Sequence, residues 1–297
     1  MALTETKNRI VRTINLVDDV FDDNQTRNYA LAIQIGLDGL SAAVLDDVLG
    51  RVIALEKFTI QSVHQFNILA RFIDQIIQQS SILAYPYKKI NVALVSPKST
   101  LVPDALFAPE KSISLLSFNH KLEEDEIVLA DNLMNLSSKN VFAIPRSVQQ
   151  VFTELYANAT FEHYSSALIE TLLVLNKNST EKKVIVNVHA LAFEVVVIKG
   201  KELLLYNTFT YKSPEDFIYY VLFVCEQLQL NPETLVLEVV GEIEKDSALY
   251  QVLYKYIRNV KFGVRPDTFN YGTKLGSLPK HHHFSLYAQF VHSSGLF

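Results

Sequence analysis

The feature that most constrains the fold of this chain is a weak internal repeat. Residues 31–46 read LAIQIGLDGLSAAVLD and residues 184–199 read VIVNVHALAFEVVVIK, and the two segments align without a gap. Apolar residues meet apolar residues at nearly every aligned position, as Leu31 does with Val184. Each segment opens three strand-like runs and then a helix-like run, because the apolar spacing changes from two residues to three or four. The repeat therefore predicts two similar α/β halves.

Local signals support this order of elements in both halves. Asp38-Gly39 is a strong signal for a tight hairpin between the first two strands. A helical period follows at 62–82, and Ser213-Pro214 marks the start of the matching helix in the second half. Strands that alternate with helices indicate mixed sheets covered on their faces.

Two segments interrupt the pattern and indicate the domain limits. Residues 97–138 contain several prolines and an acidic run, and we interpret them as an insertion. The polar stretch 176–183, NKNSTEKK, is typical of a linker. We expect a first half at 1–178, which holds the insertion at about 97–138, and a second half at 179–297. Residues 284–291 are predicted to form a last strand.

Composition excludes several classes of protein. The chain has 27 basic and 32 acidic residues and a formal charge of −5, which argues against a dedicated nucleic-acid binder. Cys225 is the single cysteine, so there is no intramolecular disulfide and no cysteine zinc cluster, and we expect its thiol to be buried and structural. The charged N-terminal segment is unlike a signal peptide, and no apolar run is long enough to cross a membrane. These observations favour a cytoplasmic protein.

The order strand–strand–strand–helix–strand–helix–strand, present twice, resembles the actin-like ATPase superfamily. The chain is also similar to a bacterial family of unknown function with that fold, and to the cell-division and pilus-assembly actins. The resemblance covers roughly residues 28–265. It implies two duplicated ribonuclease-H-like domains, each a mixed five-stranded sheet flanked by helices, with a cleft between them for a nucleotide.

In active members of this superfamily each half begins with Asp-x-Gly, whose acid helps to hold Mg²⁺ and whose glycine admits phosphate. The first half of this chain has Gln34-Ile35-Gly36, with Ser41 in the returning strand. The second half has Asn187-Val188-His189. An amide is neutral and cannot act as a general base.

The adenosine motif of the superfamily carries paired glycines, whereas this chain has Val240-Gly241-Glu242. The resemblance therefore implies a degenerate nucleotide site with no catalytic residue and no bound metal. We expect no cofactor, and ATP with Mg²⁺ is the ligand if the site is active. The degenerate cleft positions are Gln34, Gly36, Ser41, Asn187 and Gly241.

Two alternatives stay open for this site. Gly36 is either a phosphate-loop glycine or a glycine that only permits a tight hairpin. If Asp38, Glu194 or Glu242 points inward near the glycines, it replaces a missing acid and favours an ATPase or kinase. Without such a replacement, the sequence favours a scaffold or partner-binding protein.

Two further segments are candidates for binding. His281-His282-His283 offers metal ligands, but adjacent residues of an extended segment point to alternating faces, so we expect a solvated loop. The segment 255–283 carries six basic residues and one acidic residue, and we interpret it either as a patch for an anionic partner or as ordinary surface.

Overall fold

The computed structural model describes residues 10–61 and 65–294. Its strands are β1 (Ile10–Val17), β2 (Tyr29–Gly36), β3 (Gly39–Asp46), β4 (Arg51–Ile60), β5 (Lys89–Leu94), β6 (Ser99–Pro103), β7 (Glu126–Leu133), β8 (Ser138–Pro145), β9 (Ala159–His163), β10 (Lys182–Val188), β11 (Ala192–Lys199), β12 (Glu202–Thr210), β13 (Val236–Gly241), β14 (Asn259–Phe262) and β15 (Asn270–Tyr271). Its helices are α1 (Phe66–Gln79), α2 (Ser112–Ser117), α3 (Arg146–Leu155), α4 (Tyr164–Asn176), α5 (Pro214–Gln227), α6 (Ala248–Tyr256) and α7 (Phe284–Ser294). Part of the predicted start of the first long helix, at 62–64, lies outside the described residues.

The two large sheets share the order of five strands. In the first sheet the order is β1-β4-β3-β2-β5-β9, and the short β15 pairs with β4. In the second sheet the order is β12-β11-β10-β13-β14. Strands β2, β3 and β4 are antiparallel, and so are β10, β11 and β12. Each sheet then continues from β2 or β10 with two parallel strands, which are β5 and β9 in the first sheet and β13 and β14 in the second. The predicted α/β fold is confirmed, and the first sheet exceeds the five predicted strands because β1 and β15 extend it.

The chain divides into two compact units. The first comprises the described part of 1–133 with 137–166 and 268–277, and the second comprises 134–136, 167–267 and the described part of 278–297. This division differs from the predicted boundary after residue 178, because most of α4 belongs to the second unit. The segment 268–277 belongs to the first unit because β15 pairs with β4.

The inserted segment forms a small sheet of its own. The strand order is β6-β8-β7 and all pairs are antiparallel. Its small core consists of Val102, Leu116, Val141 and Ala143. Strand β8 begins at the predicted end of the insertion and pairs with both β6 and β7. The insertion therefore extends beyond residue 138.

The predicted last strand at 284–291 is wrong, because these residues lie in α7. Phe284, Tyr287, Ala288 and Val291 are all buried, and they recur at helical spacing. Short apolar runs fit a buried strand and a buried helix equally well, and length decides between them. In the second unit, the Thr171 hydroxyl of α4 donates to the Ala288 carbonyl of α7 at 3.3 Å, so these two helices lie in contact.

The core of the second unit is built around aromatic rings on β11 and α5. The ring centroid of Phe193 lies 4.6 Å from that of Phe217 in an edge-on arrangement. Phe217 also meets Tyr211 at 5.7 Å. On the same helix Cys225 is buried, as predicted, and burial raises the pKa of its thiol to about 11. This cysteine therefore packs in the core and is a poor nucleophile.

Replacing Phe217 by alanine tests the importance of this aromatic core. Phe217→Ala is expected to lower the free energy of unfolding by about 3–5 kcal/mol, because it removes a fully buried ring. Phe223→Ala is the matched control on the same helix, since Phe223 is 42% exposed, and its effect is expected to stay below about 1 kcal/mol. Urea unfolding of both variants measures the difference, and equal losses would contradict the assignment of Phe217 to the core.

A buried carboxylate fixes the tip of the β7–β8 hairpin in the second unit. Glu170 on α4 has no exposed surface, and it accepts bonds from Asn135 N at 3.1 Å and from Asn135 Nδ2 at 2.6 Å. Burial raises the pKa of Glu170 from 4.5, while the bonds from Asn135 and the charge of His292 oppose that shift.

This raised pKa predicts a pH dependence of stability. The folded state holds the Glu170 proton more tightly than the unfolded state, so the free energy of unfolding falls as pH rises from 4.5 through the raised pKa. Glu170→Gln removes that titration and is expected to flatten this part of the curve. Urea midpoints between about pH 4 and pH 8 measure it. The exposed Glu226→Gln is the control, and parallel curves for wild type and Glu170→Gln would contradict the prediction.

Candidate functional site

The first candidate phosphate loop is a two-residue hairpin between β2 and β3. Gly36 pairs with Gly39 across the turn, so Leu37 and Asp38 form the loop. The predicted hairpin is present, but its loop lies one residue before the predicted Asp38-Gly39, because Gly39 already belongs to β3. A Cβ on Gly36 would lie 2.7 Å from Asp38 Oδ1. The Asp38 carboxylate therefore lies beside Gly36 on the side where a Cβ would be.

The other candidates of the first half, Gln34 and Ser41, lie two residue pairs before the loop of this hairpin. Gln34 pairs with Ser41 across β2 and β3, and with Ala93 on β5. Both Gln34 and Ser41 are half-buried. The structure therefore brings Gln34, Gly36 and Ser41 to one end of the β2–β3 pair, with Asp38 as the nearby carboxylate at the turn.

The equivalent hairpin of the second half holds a closed polar cluster. Asn187 pairs with Glu194 across β10 and β11, at the positions that match Gln34 and Ser41. Asn187 Nδ2 donates to Glu194 Oε2 at 2.7 Å, and His189 Nε2 lies 3.0 Å from the same oxygen. Asn187 and Glu194 are fully buried, and His189 is half-buried. The acid that the alternative reading required is present, but its oxygen is bonded within the hairpin.

His189 stands where the second phosphate glycine is expected. Its backbone carbonyl accepts a bond from the Tyr211 hydroxyl at 2.8 Å. Burial, and next the negative charge of Glu242, raise the pKa of Tyr211. Glu242 itself is exposed, so it does not join the buried cluster. Sequence reasoning missed His189 and Tyr211 as members of this site.

Gly241 is required by the backbone. Its φ is +87°, and a Cβ there would lie 2.3 Å from the Val188 carbonyl oxygen. The same Cβ would lie 2.9 Å from Asn187 Oδ1, an atom that has no hydrogen-bond partner among the described residues. Gly241 thus lies against the buried side of the cluster. Its positive φ and these close contacts explain why the residue is a glycine.

These residues do not fit a bound Mg²⁺–nucleotide in the way that the superfamily implies. Mg²⁺ needs accessible oxygen ligands with negative charge. The carboxylate of Glu194 is buried and held by Asn187 and His189. The second hairpin therefore offers no accessible charged ligand where the superfamily has an aspartate.

A second polar cluster in the first unit resembles a nucleophile–base pair. The Ser165 hydroxyl lies 2.6 Å from His163 Nδ1, and His163 Nε2 donates to the Ser96 carbonyl at 2.8 Å. Asn140 Nδ2 donates to Ser165 Oγ at 3.0 Å. His163, Ser165 and Asn140 are all fully buried. This buried cluster joins β8 to the start of α4.

The three adjacent histidines do not form a solvated loop. They occupy a turn before α7, and His281 is buried. The rings of His281 and His282 meet edge-on at 4.6 Å, and His282 Nε2 lies 3.0 Å from Glu244 Oε1. The expectation of alternating faces failed because a turn, unlike an extended strand, places adjacent side chains on one side.

The basic residues of 255–283 differ in burial and in the compact unit to which they belong. Lys274 belongs to the first unit and bonds to Asp19 at 2.5 Å. Arg265 is buried, and Arg258 lies 3.6 Å from Glu233. The other three basic residues, Lys255, Lys261 and Lys280, are exposed. Basic residues that are close in sequence therefore have different surroundings in the structure.

Comparisons with known proteins agree with the fold. A family model described as "Protein of unknown function (DUF3822)" matches residues 18–260. A crystal structure of a Bacteroides thetaiotaomicron protein with actin-like ATPase fold and unknown function is 25% identical, with a TM-score of 0.76 over 92% of this chain and 99% of that chain. The PilM–PilN type IV pilus biogenesis complex contains a chain that is 15% identical, with a TM-score of 0.57 over 90% of this chain and 98% of that chain.

No curated protein matches the chain. None of the helices in the described ranges is both long and apolar enough to cross a membrane.

The two candidate glycines are expected to differ sharply on substitution. Gly241→Ala should lower the free energy of unfolding by more than about 2 kcal/mol, because a positive φ and a backbone oxygen both oppose a Cβ. Gly36→Ala should cost less than about 1 kcal/mol, since its nearest obstacle is the end of the Asp38 side chain. Chemical unfolding distinguishes the two. Equal losses would mean that Gly36 also has a structural role.

Proposed function

Since the chain belongs to the DUF3822 family, whose description assigns no activity, we propose a function from the geometry of its own residues. It is a catalytically degenerate, actin-like protein that acts as a cytoplasmic scaffold or partner-binding module. The alternative is a divergent ATP-binding protein, ATPase or kinase.

The observation that carries the proposal is the closed Asn187–Glu194–His189 cluster. Glu194 Oε2 receives the Asn187 amide at 2.7 Å and lies 3.0 Å from His189 Nε2. A buried carboxylate that loses such partners destabilises the fold by several kcal/mol. Opening the cluster to coordinate a cation therefore competes with folding, which supports a structural role for Glu194.

The first hairpin supports the alternative function instead, because the Asp38 carboxylate lies close to Gly36. Asp38 Oδ1 lies 2.7 Å from the position of a Cβ on Gly36, so a phosphate bound at Gly36 would lie near a like charge. A phosphate that approaches Gly36 meets this carboxylate unless a cation lies between them. A phosphate at Gly36 therefore needs a cation beside Asp38, and such a cation would favour the alternative function.

Exposed apolar side chains of the insertion favour a protein partner. Leu106, Ile113 and Phe118 are all more than half exposed, and Phe118 reaches 89%. Large exposed apolar groups are typical of interaction surfaces when they cluster. A protein with this fold, PilM, occurs in a complex with PilN. The insertion, whose sheet has its own small core, is the proposed contact region.

A nucleotide-binding experiment tests the degenerate site. Thermal unfolding of the purified protein is measured with and without millimolar ATP or ADP and Mg²⁺, and with EDTA as the metal-free control. A ligand at a hundred times its Kd adds about 2.7 kcal/mol of stability. We expect no Mg²⁺-dependent change, because no accessible carboxylate is available at the second hairpin.

The alternative function, ATP binding with or without turnover, predicts a different result in this experiment. A Mg²⁺-dependent increase in the melting temperature that Glu194→Gln abolishes would overturn the proposal and assign Glu194 to the nucleotide. Phosphate release measured on the same samples would then distinguish hydrolysis from binding alone.

The partner-binding half of the proposal needs a separate test. A photo-crosslinking residue is placed at position 118 and, as the control, at the exposed position 202. A discrete cross-linked protein at 118 and not at 202 is the expected result. Identical products at both positions would contradict a specific contact at the insertion.

A further inference from the structure

Three metal-ligating side chains meet at one end of the second unit. Glu244 follows β13, and His281 and His282 lie in the turn before α7. One ligand atom from each residue lies within 4.8 Å of the other two. Around a tetrahedral zinc ion with Zn–N bonds of about 2.1 Å, ligand atoms are about 3.4 Å apart, so small side-chain rotations suffice.

The surroundings of His281 orient it as a ligand. Its Nε2 donates to the Ile243 carbonyl at 2.7 Å, so the Nδ1 atom carries the lone pair. A metal-bound histidine usually makes this kind of bond through its second nitrogen. The ring also stacks on Phe262 at 4.2 Å between centroids, which fixes its plane.

The backbone of the turn is held at two points. Gly241 N donates to the His281 carbonyl at 2.9 Å, and Arg265 N donates to the Lys280 carbonyl at 2.7 Å. These bonds tie the turn to the ends of β13 and β14. The fold therefore fixes the backbone of the turn that carries the two histidines.

His282 and Glu244 form the outer side of the cluster. His282 Nε2 lies 3.0 Å from Glu244 Oε1, and their side chains are 18% and 56% exposed. A divalent cation joins a neutral imidazole and a carboxylate without requiring a proton on the histidine. The exposure of Glu244 gives an ion a path from solvent, while His281 supplies the buried side.

We propose that Glu244, His281 and His282 bind a divalent transition-metal ion, with zinc as the ion that fits best. Two imidazole nitrogens and one carboxylate oxygen are a donor set that zinc proteins use, whereas Mg²⁺ and Ca²⁺ prefer oxygen ligands alone. Three protein ligands leave a fourth position for water or an incoming group. The ion would link the loop after β13 to the turn before α7.

The test uses the full chain without a polyhistidine tag. Zinc chloride is titrated into the protein by calorimetry, and cobalt(II) absorption reports the coordination number. We expect one ion per chain and a higher melting temperature with zinc, because the ion binds the folded state. Glu244→Gln and His282→Asn alter partly exposed side chains and are each expected to weaken binding at least tenfold.

His283→Asn is the matched control, since His283 adjoins the cluster in sequence but is not one of its three ligands. Its φ of 55° is a value that asparagine also adopts. The expected result is unchanged zinc affinity in this variant. An equal loss in His283→Asn would overturn the proposal in favour of chelation by the histidine run, and unchanged affinity in His282→Asn would overturn it outright. Melting temperatures in EDTA show that each variant is folded.

Discussion

The antiparallel register between the first two strands of each half is the constraint on which both candidate hairpins depend. In the first half it sets Gln34 against Ser41, and in the second it sets Asn187 against Glu194. The register cannot slip by one residue, because the slip would move every apolar side chain to the opposite face. The same topology therefore presents two neutral side chains in one half and a buried carboxylate in the other.

A buried carboxylate distinguishes the second hairpin from the phosphate motif of the superfamily that the chain resembles. A charge inside an apolar sheet is tolerated only when its oxygens are bonded. Asn187 and His189 supply those bonds, and their residue types are the ones that replace the superfamily's acid and glycine. Both residues contact the same oxygen, Glu194 Oε2. Gly241 completes this packing from the neighbouring strand.

The same region carries the proposed metal cluster. Gly241 closes the buried side of Asn187 and also donates its N–H to the carbonyl of His281. The loop that the resemblance assigns to adenosine therefore packs against the turn before α7. A metal ion held by Glu244 and His282 would stabilise this contact, and it requires no nucleotide.

The sequence by itself determined the fold class, the two hairpins and the buried Cys225, because apolar periodicity and turn residues are local signals. It also identified Gln34 and Asn187 as neutral replacements. Tertiary structure decided what surrounds these residues. His189 joined Glu194, His281 met Glu244, and Lys274 bonded to Asp19. These contacts join separate turns and strands, so they depend on strand register and on the path of the chain, which local sequence patterns do not specify.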